Sequence, residues 1–141
     1  VEIDPDTGTI EVVRYTAVDD CGRVINPLLA TGQVHGGVAM GIGQALLENA
    51  IYDDDGQLLS GSLMDYAMPR AMHISDMDVS FHEVLDPNND LGVKGIGEGG
   101  ACAAPSAVVN AAIDALAPMG ITALDMPMTP ERLWRAIRAV S

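Results

Sequence analysis

Gly92-Val93-Lys94-Gly95-Ile96-Gly97-Glu98-Gly99-Gly100 is the stretch around which the rest of this chain is organised. Five of its nine residues are glycine, so the backbone can adopt φ > 0 and let another group approach closely. Its only charged residues are Lys94 and Glu98, and an Ala/Pro/Ser segment with a helical pattern follows. A carboxylate on a glycine turn at a helix entrance is suited to aiming one base at one atom. The alternative is a flexible surface loop in which Glu98 is merely solvated.

Length and composition indicate a single domain, or a fragment of one, over residues 1–141. The chain is long enough to bury a core, and 48% of its residues are hydrophobic. Aromatic residues make up only 4%, so aliphatic side chains and methionine must build that core. Cys21 and Cys102 form no disulfide framework, and neither they nor the three histidines show metal-ligand spacing. We therefore predict no protein-ligated metal and a reducing compartment.

The charge balance excludes two classes of partner. The net charge of −13 argues against binding to nucleic acid or to an anionic membrane surface, because both require basic patches. The sequence shows neither an apolar run of membrane-spanning length nor a signal-peptide pattern, so we expect a cytoplasmic location. Since it begins at Val1 inside a strand-like alternation, we also expect a fragment or processed subunit of a longer polypeptide.

Turn and capping signals predict an α+β fold with antiparallel β-hairpins. Asn26 and Pro27 are suited to the N-cap and first position of a glycine-rich helix, and two further helices follow. Asp19 and Asp20 end a strand, where adjacent carboxylates either bind a ligand or cap a turn. The predicted strands cover residues 1–4, 10–18, 77–85 and 121–126, and the predicted helices begin near residues 27, 105 and 130.

The first of these helices, over residues 27–48, has an unusual content of glycine. Each interior glycine costs the helix roughly 1 kcal/mol relative to alanine. Close approach of another backbone, or of a ligand across the small-residue face beside Gln33 and His35, could offset this cost. A packed helix without any ligand is the alternative. The glycines are Gly32, Gly36, Gly37, Gly41 and Gly43.

Three stretches together resemble the molybdenum hydroxylase family, which includes xanthine dehydrogenases, aldehyde oxidoreductases and carbon monoxide dehydrogenase large chains. They are Asp19-Asp20-Cys21-Gly22 with Ile25-Asn26-Pro27, Gly32-Gln33-Val34-His35-Gly36-Gly37, and Gly92 to Glu98 of the glycine loop. Met64-Asp65-Tyr66 and Met126-Pro127 match the family as well. The resemblance covers essentially the whole chain and is greatest to the C-terminal part of bacterial large chains of the carbon monoxide dehydrogenase type.

The resemblance implies a role for each matching residue. Glu98 corresponds to the catalytic base beside the molybdenum, and Gln33 to a contact of the pterin. Asp20 and Asn26 correspond to the positions that hold the cytosine dinucleotide end of a molybdopterin cofactor. The remaining implied cofactor contacts are Lys94 and the glycines Gly36, Gly37, Gly95 and Gly97.

The resemblance further implies oxidation of an aldehyde, an N-heterocycle or carbon monoxide with water as the oxygen source. The cofactor would be shared with an upstream region of the large subunit, and iron–sulfur and flavin subunits or domains would carry the electrons. We therefore expect the 141-residue chain alone to be inactive. A structural remnant or assembly module of the same ancestry is the alternative. A phosphate-binding nucleotide protein is disfavoured, because the glycine loop neither fits a P-loop nor places Gly-x-Gly-x-x-Gly after a strand.

Overall fold

The computed structural model describes residues 1–140 and contains both helices and strands, which confirms the mixed α+β class. Two single 3-10 turns, Ala71–His73 and Ala117–Met119, lie between the larger elements. In chain order the elements are β1 (Glu2–Asp4), β2 (Thr9–Glu11), β3 (Tyr15–Asp19), α1 (Pro27–Leu46), β4 (Met77–Phe81), α2 (Ala104–Leu116) and α3 (Pro130–Val140).

The strands form two separate two-stranded sheets. β1 and β2 make the predicted antiparallel hairpin, with Ile3 opposite Ile10. β3 and β4 pair in parallel, with Ala17 opposite Val79, so the prediction of antiparallel pairing was wrong for these strands. Residues 10–18 were predicted as one strand, but Val12 leaves the ladder and is buried in the core, which separates β2 from β3. Parallel pairing then requires a crossover connection, which α1 provides.

The main core lies between α1 and α2, with β3 and β4 packed against it. Val34, Val38 and Ile42 of α1 are almost completely buried, and Val108 of α2 packs with them. Gly41 permits this contact, because a Cβ there would lie 2.4 Å from the Cβ of Ala104. Across residues 1–140, no helix combines the length and apolarity that crossing a bilayer would require.

The C-terminal region corrects the prediction of a strand over residues 121–126. Residues 121–126 form no strand; Ile121 is buried beside Leu133 and Ile137, so the apolar pattern there reflects packing against helices. Ile137 lies in this second cluster, whereas Trp134 lies outside it and is 38% exposed. Its ring instead packs under the guanidinium of Arg138, 5.5 Å from the ring centroid.

Candidate functional site

The glycine loop begins beside the end of β3. Gly22 and Val93 form an antiparallel bridge, and the Lys94 amide donates a hydrogen bond to the Cys21 carbonyl at 2.8 Å. Gly22 has φ +63°, and a Cβ on it would lie 2.2 Å from the carbonyl oxygen of Gly92. Only glycine fits this crossing, so the Asp-Cys-Gly turn and the glycine loop are held against each other.

Asp20 joins the glycine loop to two other segments. Its Oδ2 lies 2.5 Å from the Nζ of Lys94. Its Oδ1 accepts hydrogen bonds from the backbone N–H groups of Gly22 (2.8 Å) and Val84 (3.1 Å). The Lys94 ammonium, and then these two N–H groups, lower the pKa of Asp20 to about 2. Both carboxylate oxygens are therefore engaged within the chain.

Asn26 caps the N-terminus of α1, as predicted. Its Oδ1 accepts a hydrogen bond from the Leu29 amide at 3.2 Å, and Pro27 follows at the first helical position. Within residues 1–140 the Asn26 amide nitrogen has no hydrogen-bond partner, so this side chain retains two donors for a ligand.

Gln33 reaches from the exposed side of α1 to the glycine loop. Its Nε2 donates a hydrogen bond to the carbonyl oxygen of Gly97 at 2.6 Å, across a separation of 64 positions. The acceptor belongs to the peptide unit that leads directly into Glu98. The structure therefore connects two of the predicted site residues through one backbone carbonyl.

Beyond Glu98 the loop lies directly on α1. A Cβ on Gly37 would be 2.2 Å from the Gly99 carbonyl oxygen, and a Cβ on Gly100, which has φ +80°, would be 2.6 Å from the Val34 carbonyl oxygen. The Glu98 side chain is exposed and makes no hydrogen bond or ion pair with any other residue in the described part of the chain. Its carboxylate thus projects from a segment that is fixed to α1 on both sides.

A cleft of about 450 Å³ lies between the Asp-Cys-Gly turn, the start of α1 and the glycine loop. Four predicted site residues line it: Asn26, Gln33, Lys94 and Gly97. The other five, Asp20, Gly36, Gly37, Gly95 and Glu98, lie outside its lining.

The cleft also contains Arg23, which the sequence reasoning missed. Its Nε donates to the Leu91 carbonyl at 2.9 Å, which fixes the guanidinium beside the cleft. Arg23 and Lys94 are two of only seven basic residues in the chain, and no acidic residue lines the cleft. The scarcity of basic residues, and the place of Arg23 three positions before Asn26, were signals that could have identified it.

The glycines of α1 fall into two groups. Gly37, Gly41 and Gly43 face other parts of the chain closely enough to exclude a Cβ, which confirms the predicted close approach. Gly32 and Gly36 face open space, with nothing within 4 Å of a Cβ at either position. Internal packing therefore explains the first group and leaves the second without a structural reason.

A second cavity, of about 490 Å³, lies between β2 and the C-terminal half of α1. It is lined mainly by apolar side chains such as Ile42 and Met128, and it contains none of the predicted site residues. Among residues 1–140, no three His, Cys, Asp or Glu side chains come close enough together to hold a metal ion.

Comparisons with known proteins identify relatives of this chain. The sequence profile of the molybdopterin cofactor-binding domain matches residues 1–75. The nicotine 6-hydroxylase large subunit of Paenarthrobacter nicotinovorans is 41% identical over 140 residues, which cover 99% of this chain and 17% of that protein. The carbon monoxide dehydrogenase large chain of Hydrogenophaga pseudoflava is 36% identical over 138 residues, which cover 98% of this chain and 17% of that protein.

A solved structure extends this similarity to the fold. Quinoline 2-oxidoreductase from Pseudomonas putida 86 superimposes with a TM-score of 0.93 at 44% identity, over 96% of this chain and 17% of that one. The chain therefore spans about one sixth of the length of the relatives that it matches.

Proposed function

The chain belongs to the molybdopterin cofactor-binding domain family, as found in the large subunits of molybdenum hydroxylases. On this premise we propose that it forms one wall of a molybdenum site and supplies the catalytic base of that site, Glu98. One observation carries the proposal: Gln33 holds the peptide before Glu98 beside two glycines of α1 that face open space. These residues fit a planar cofactor, since nothing lies within 4 Å of a Cβ at Gly32 or Gly36 and the face beside Gln33 therefore leaves room for it.

The 450 Å³ cleft between the Asp-Cys-Gly turn, the start of α1 and the glycine loop suits the phosphate-bearing part of such a cofactor. Arg23 brings a positive charge that no carboxylate pairs within residues 1–140, and beside it lies Lys94, whose charge is paired with Asp20. Asn26 adds amide donors at the start of a 20-residue helix, where the helix dipole favours anions. We assign this cleft to the dinucleotide end, in the cytosine form that the sequence resemblance implies. Asp20 would act indirectly, by holding Lys94 in position.

When bound, molybdopterin with molybdenum supplies two-electron redox chemistry with water as the oxygen source. The task of this chain is to hold the cofactor and to move one proton. The Glu98 carboxylate suits the second role because it is exposed and has no partner elsewhere in residues 1–140. It can therefore accept a proton at a carboxylate oxygen while its backbone stays fixed.

The relatives, rather than this chain, support a proposal for the substrate class. Two proteins above 40% identity are named for N-heterocyclic substrates, nicotine and quinoline, and the carbon monoxide dehydrogenase is less similar. We therefore place an N-heterocycle ahead of an aldehyde or carbon monoxide.

The chain needs partners for this function. Since it spans about 17% of its relatives, the remaining cofactor contacts and the substrate pocket would belong to the rest of the large subunit. Iron–sulfur and flavin units would accept the electrons, in a cytoplasmic complex.

The test is a Glu98→Gln substitution in the loaded enzyme. Removal of a general base lowers turnover by about 10²- to 10⁴-fold, and we expect the molybdenum content to stay unchanged. Glu131→Gln is the matched control, because its carboxylate forms only an exposed ion pair with Arg135. Near-normal turnover of the Glu98→Gln enzyme would refute the catalytic role. An assembled enzyme without molybdenum would instead favour a structural remnant.

A further inference from the structure

The contact between Gln33 and Gly97 points to a function that differs from the pterin contact expected of Gln33. We propose that Gln33 is a positioning residue for Glu98, which fixes the direction of the Glu98 carboxylate through the Gly97 carbonyl. This inference rests on the proposed function of Glu98 as base. It assigns to the Gln33 amide a task that is completed within the chain, before any ligand binds.

The donor residue, Gln33, is held rigidly by the helix. Gln33 lies in the 20-residue helix α1, and the next residue, Val34, is completely buried in the main core. The Gln33 backbone therefore cannot shift without disturbing that core. A hydrogen bond of 2.6 Å from its Nε2 transfers this fixed position to the loop.

The glycine loop is flexible between the two points at which it is anchored. Lys94 is fixed upstream by the Cys21 carbonyl and by Asp20, and Gly99 is fixed downstream against Gly37. Between these anchors, Gly95 and Gly97 have no side chain and nothing within 4 Å of a Cβ. Ile96 packs against the main core and its carbonyl accepts a hydrogen bond from the Gly99 amide, but the glycine backbone on either side of Ile96 has no comparable contact and can adopt many conformations.

The acceptor, the Gly97 carbonyl, controls the orientation of the peptide unit that leads into Glu98. The carbonyl of Gly97 and the amide nitrogen of Glu98 belong to one planar peptide unit. Fixing that carbonyl fixes this plane and, together with the Gly99 amide, which donates to the Ile96 carbonyl at 2.9 Å, restricts the direction in which the Cα–Cβ bond of Glu98 leaves the backbone. Within residues 1–140, Gln33 is the one side chain that hydrogen-bonds the backbone of residues 95–98. A misplacement of a catalytic group by about 1 Å can cost on the order of 100-fold in rate.

The test compares Gln33→Met with Gln44→Met in the cofactor-loaded enzyme. Methionine keeps the length of the side chain and removes the donor, and Gln44 is an exposed glutamine of the same helix without a hydrogen bond in the described chain. For Gln33→Met we expect kcat to fall roughly 10- to 100-fold with little change in KM. Gln44→Met should leave kcat unchanged, and Gln33→Lys, which restores an N–H donor, should recover part of the loss.

A second readout does not depend on turnover. Amide hydrogen exchange of Gly99, whose N–H donates to the Ile96 carbonyl at 2.9 Å, should rise roughly tenfold in Gln33→Met and stay unchanged in Gln44→Met, because the loop loses the hydrogen bond that holds it to α1. Molybdenum content should remain that of the unaltered enzyme. Unchanged loop exchange overturns the proposal, and so does a loss of cofactor with unchanged loop exchange, which is the result expected of a pterin contact.

These results separate this inference from the proposed function. If Glu98→Gln is inactive while Gln33→Met exchanges and turns over normally, only the positioning role fails. If Glu98→Gln turns over normally, the proposed function fails, and the positioning role fails with it.

Discussion

The Oδ2 of Asp20 lies 2.5 Å from the Nζ of Lys94, although 74 positions of sequence separate the two residues. This ion pair fixes the start of the glycine loop to the end of β3, and the hydrogen bond from Gln33 fixes the loop again just before Glu98. Ordering a segment with so many glycines costs much conformational entropy, and these contacts help to offset that cost. The contacts around Asp20 and Gln33 therefore make a glycine-rich segment suitable for carrying a base.

The first prediction concerns the pKa of Asp20. Lys94→Met removes the largest cause of its depression, so we expect the pKa to rise from about 2 toward the ordinary value of 3.8. Because the folded-state pKa is depressed, this interaction stabilises the fold above about pH 4. That stabilisation is lost as the pH falls from about 4 to about 2, and Lys94→Met should remove much of this dependence. Carboxyl NMR titration measures the shift.

Arg14→Met is the matched control for this titration. It removes an exposed ion pair to Asp78 and leaves the contacts of Asp20 intact. An Asp20 midpoint that is the same in Lys94→Met as in Arg14→Met would contradict our account of the ion pair.

The second prediction separates the two groups of glycines in α1. Gly37→Ala places a Cβ 2.2 Å from the backbone oxygen of Gly99, so we expect it to displace the loop that carries Glu98 and to lower thermal stability. Gly36→Ala meets nothing within 4 Å and improves helix propensity, so it should stabilise the cofactor-free protein by about 0.5–1 kcal/mol. Chemical unfolding of the two variants measures the difference.

Cofactor retention then tests what the open space at Gly36 is for. If the cofactor lies against this face, Gly36→Ala should release it more readily, although the cofactor-free protein is more stable. Unchanged retention, measured by molybdenum release on dilution, would show that the open space serves no ligand.

The third prediction concerns the second core cluster. Leu133 is completely buried, whereas Leu28 at the start of α1 is 81% exposed. Leu133→Ala should cost about 2–5 kcal/mol, because it leaves a cavity beside Ile121 and Ile137. Leu28→Ala, the same chemical change on the surface, should alter the free energy of unfolding by less than about 0.5 kcal/mol. Equal effects in urea unfolding would contradict the packing described here.

The fourth prediction concerns the apolar face of α1. Leu28, Leu29 and Met40 are more than half exposed, and large exposed apolar patches mark interaction sites. We expect the 141-residue chain alone to self-associate, and Leu28→Ser with Leu29→Ser to reduce that association. Sedimentation velocity over a concentration series measures the association of the unaltered chain and of the double variant. Equal association of the two would show that the chain self-associates through another surface.

Local signals predicted much of this fold. Asn26 and Pro27 fixed the start of α1, and the apolar pattern from Pro105 onward located α2, because caps and helical periodicity depend on nearby residues. The parallel pairing of β3 with β4 was not predictable in this way, since it joins residues about 60 positions apart and depends on how α1 packs. The prediction of a strand over residues 121–126 was wrong for a related reason. Apolar alternation does not reveal whether the neighbouring element is a strand or a helix.

The candidate site was likewise predictable only in part. Residue type and spacing indicated Glu98, Gln33 and Lys94, but not what each side chain contacts. Only the three-dimensional structure shows that Lys94 pairs with Asp20 rather than with Glu98, and that Arg23 faces the cleft. The contact between Asp20 and Lys94 joins segments 74 positions apart, so no local pattern could have supplied it, whereas the position of Arg23 near Asn26 was a local signal.

The most direct test of the central claim is native mass spectrometry with molybdenum analysis, on this chain alone and on the chain together with the remainder of the large subunit. Our account predicts that the cofactor and molybdenum are retained only when the remainder is present, because this chain supplies one wall of the site. Absence of cofactor and metal in both samples would contradict it, and would identify the chain as a structural module of the family.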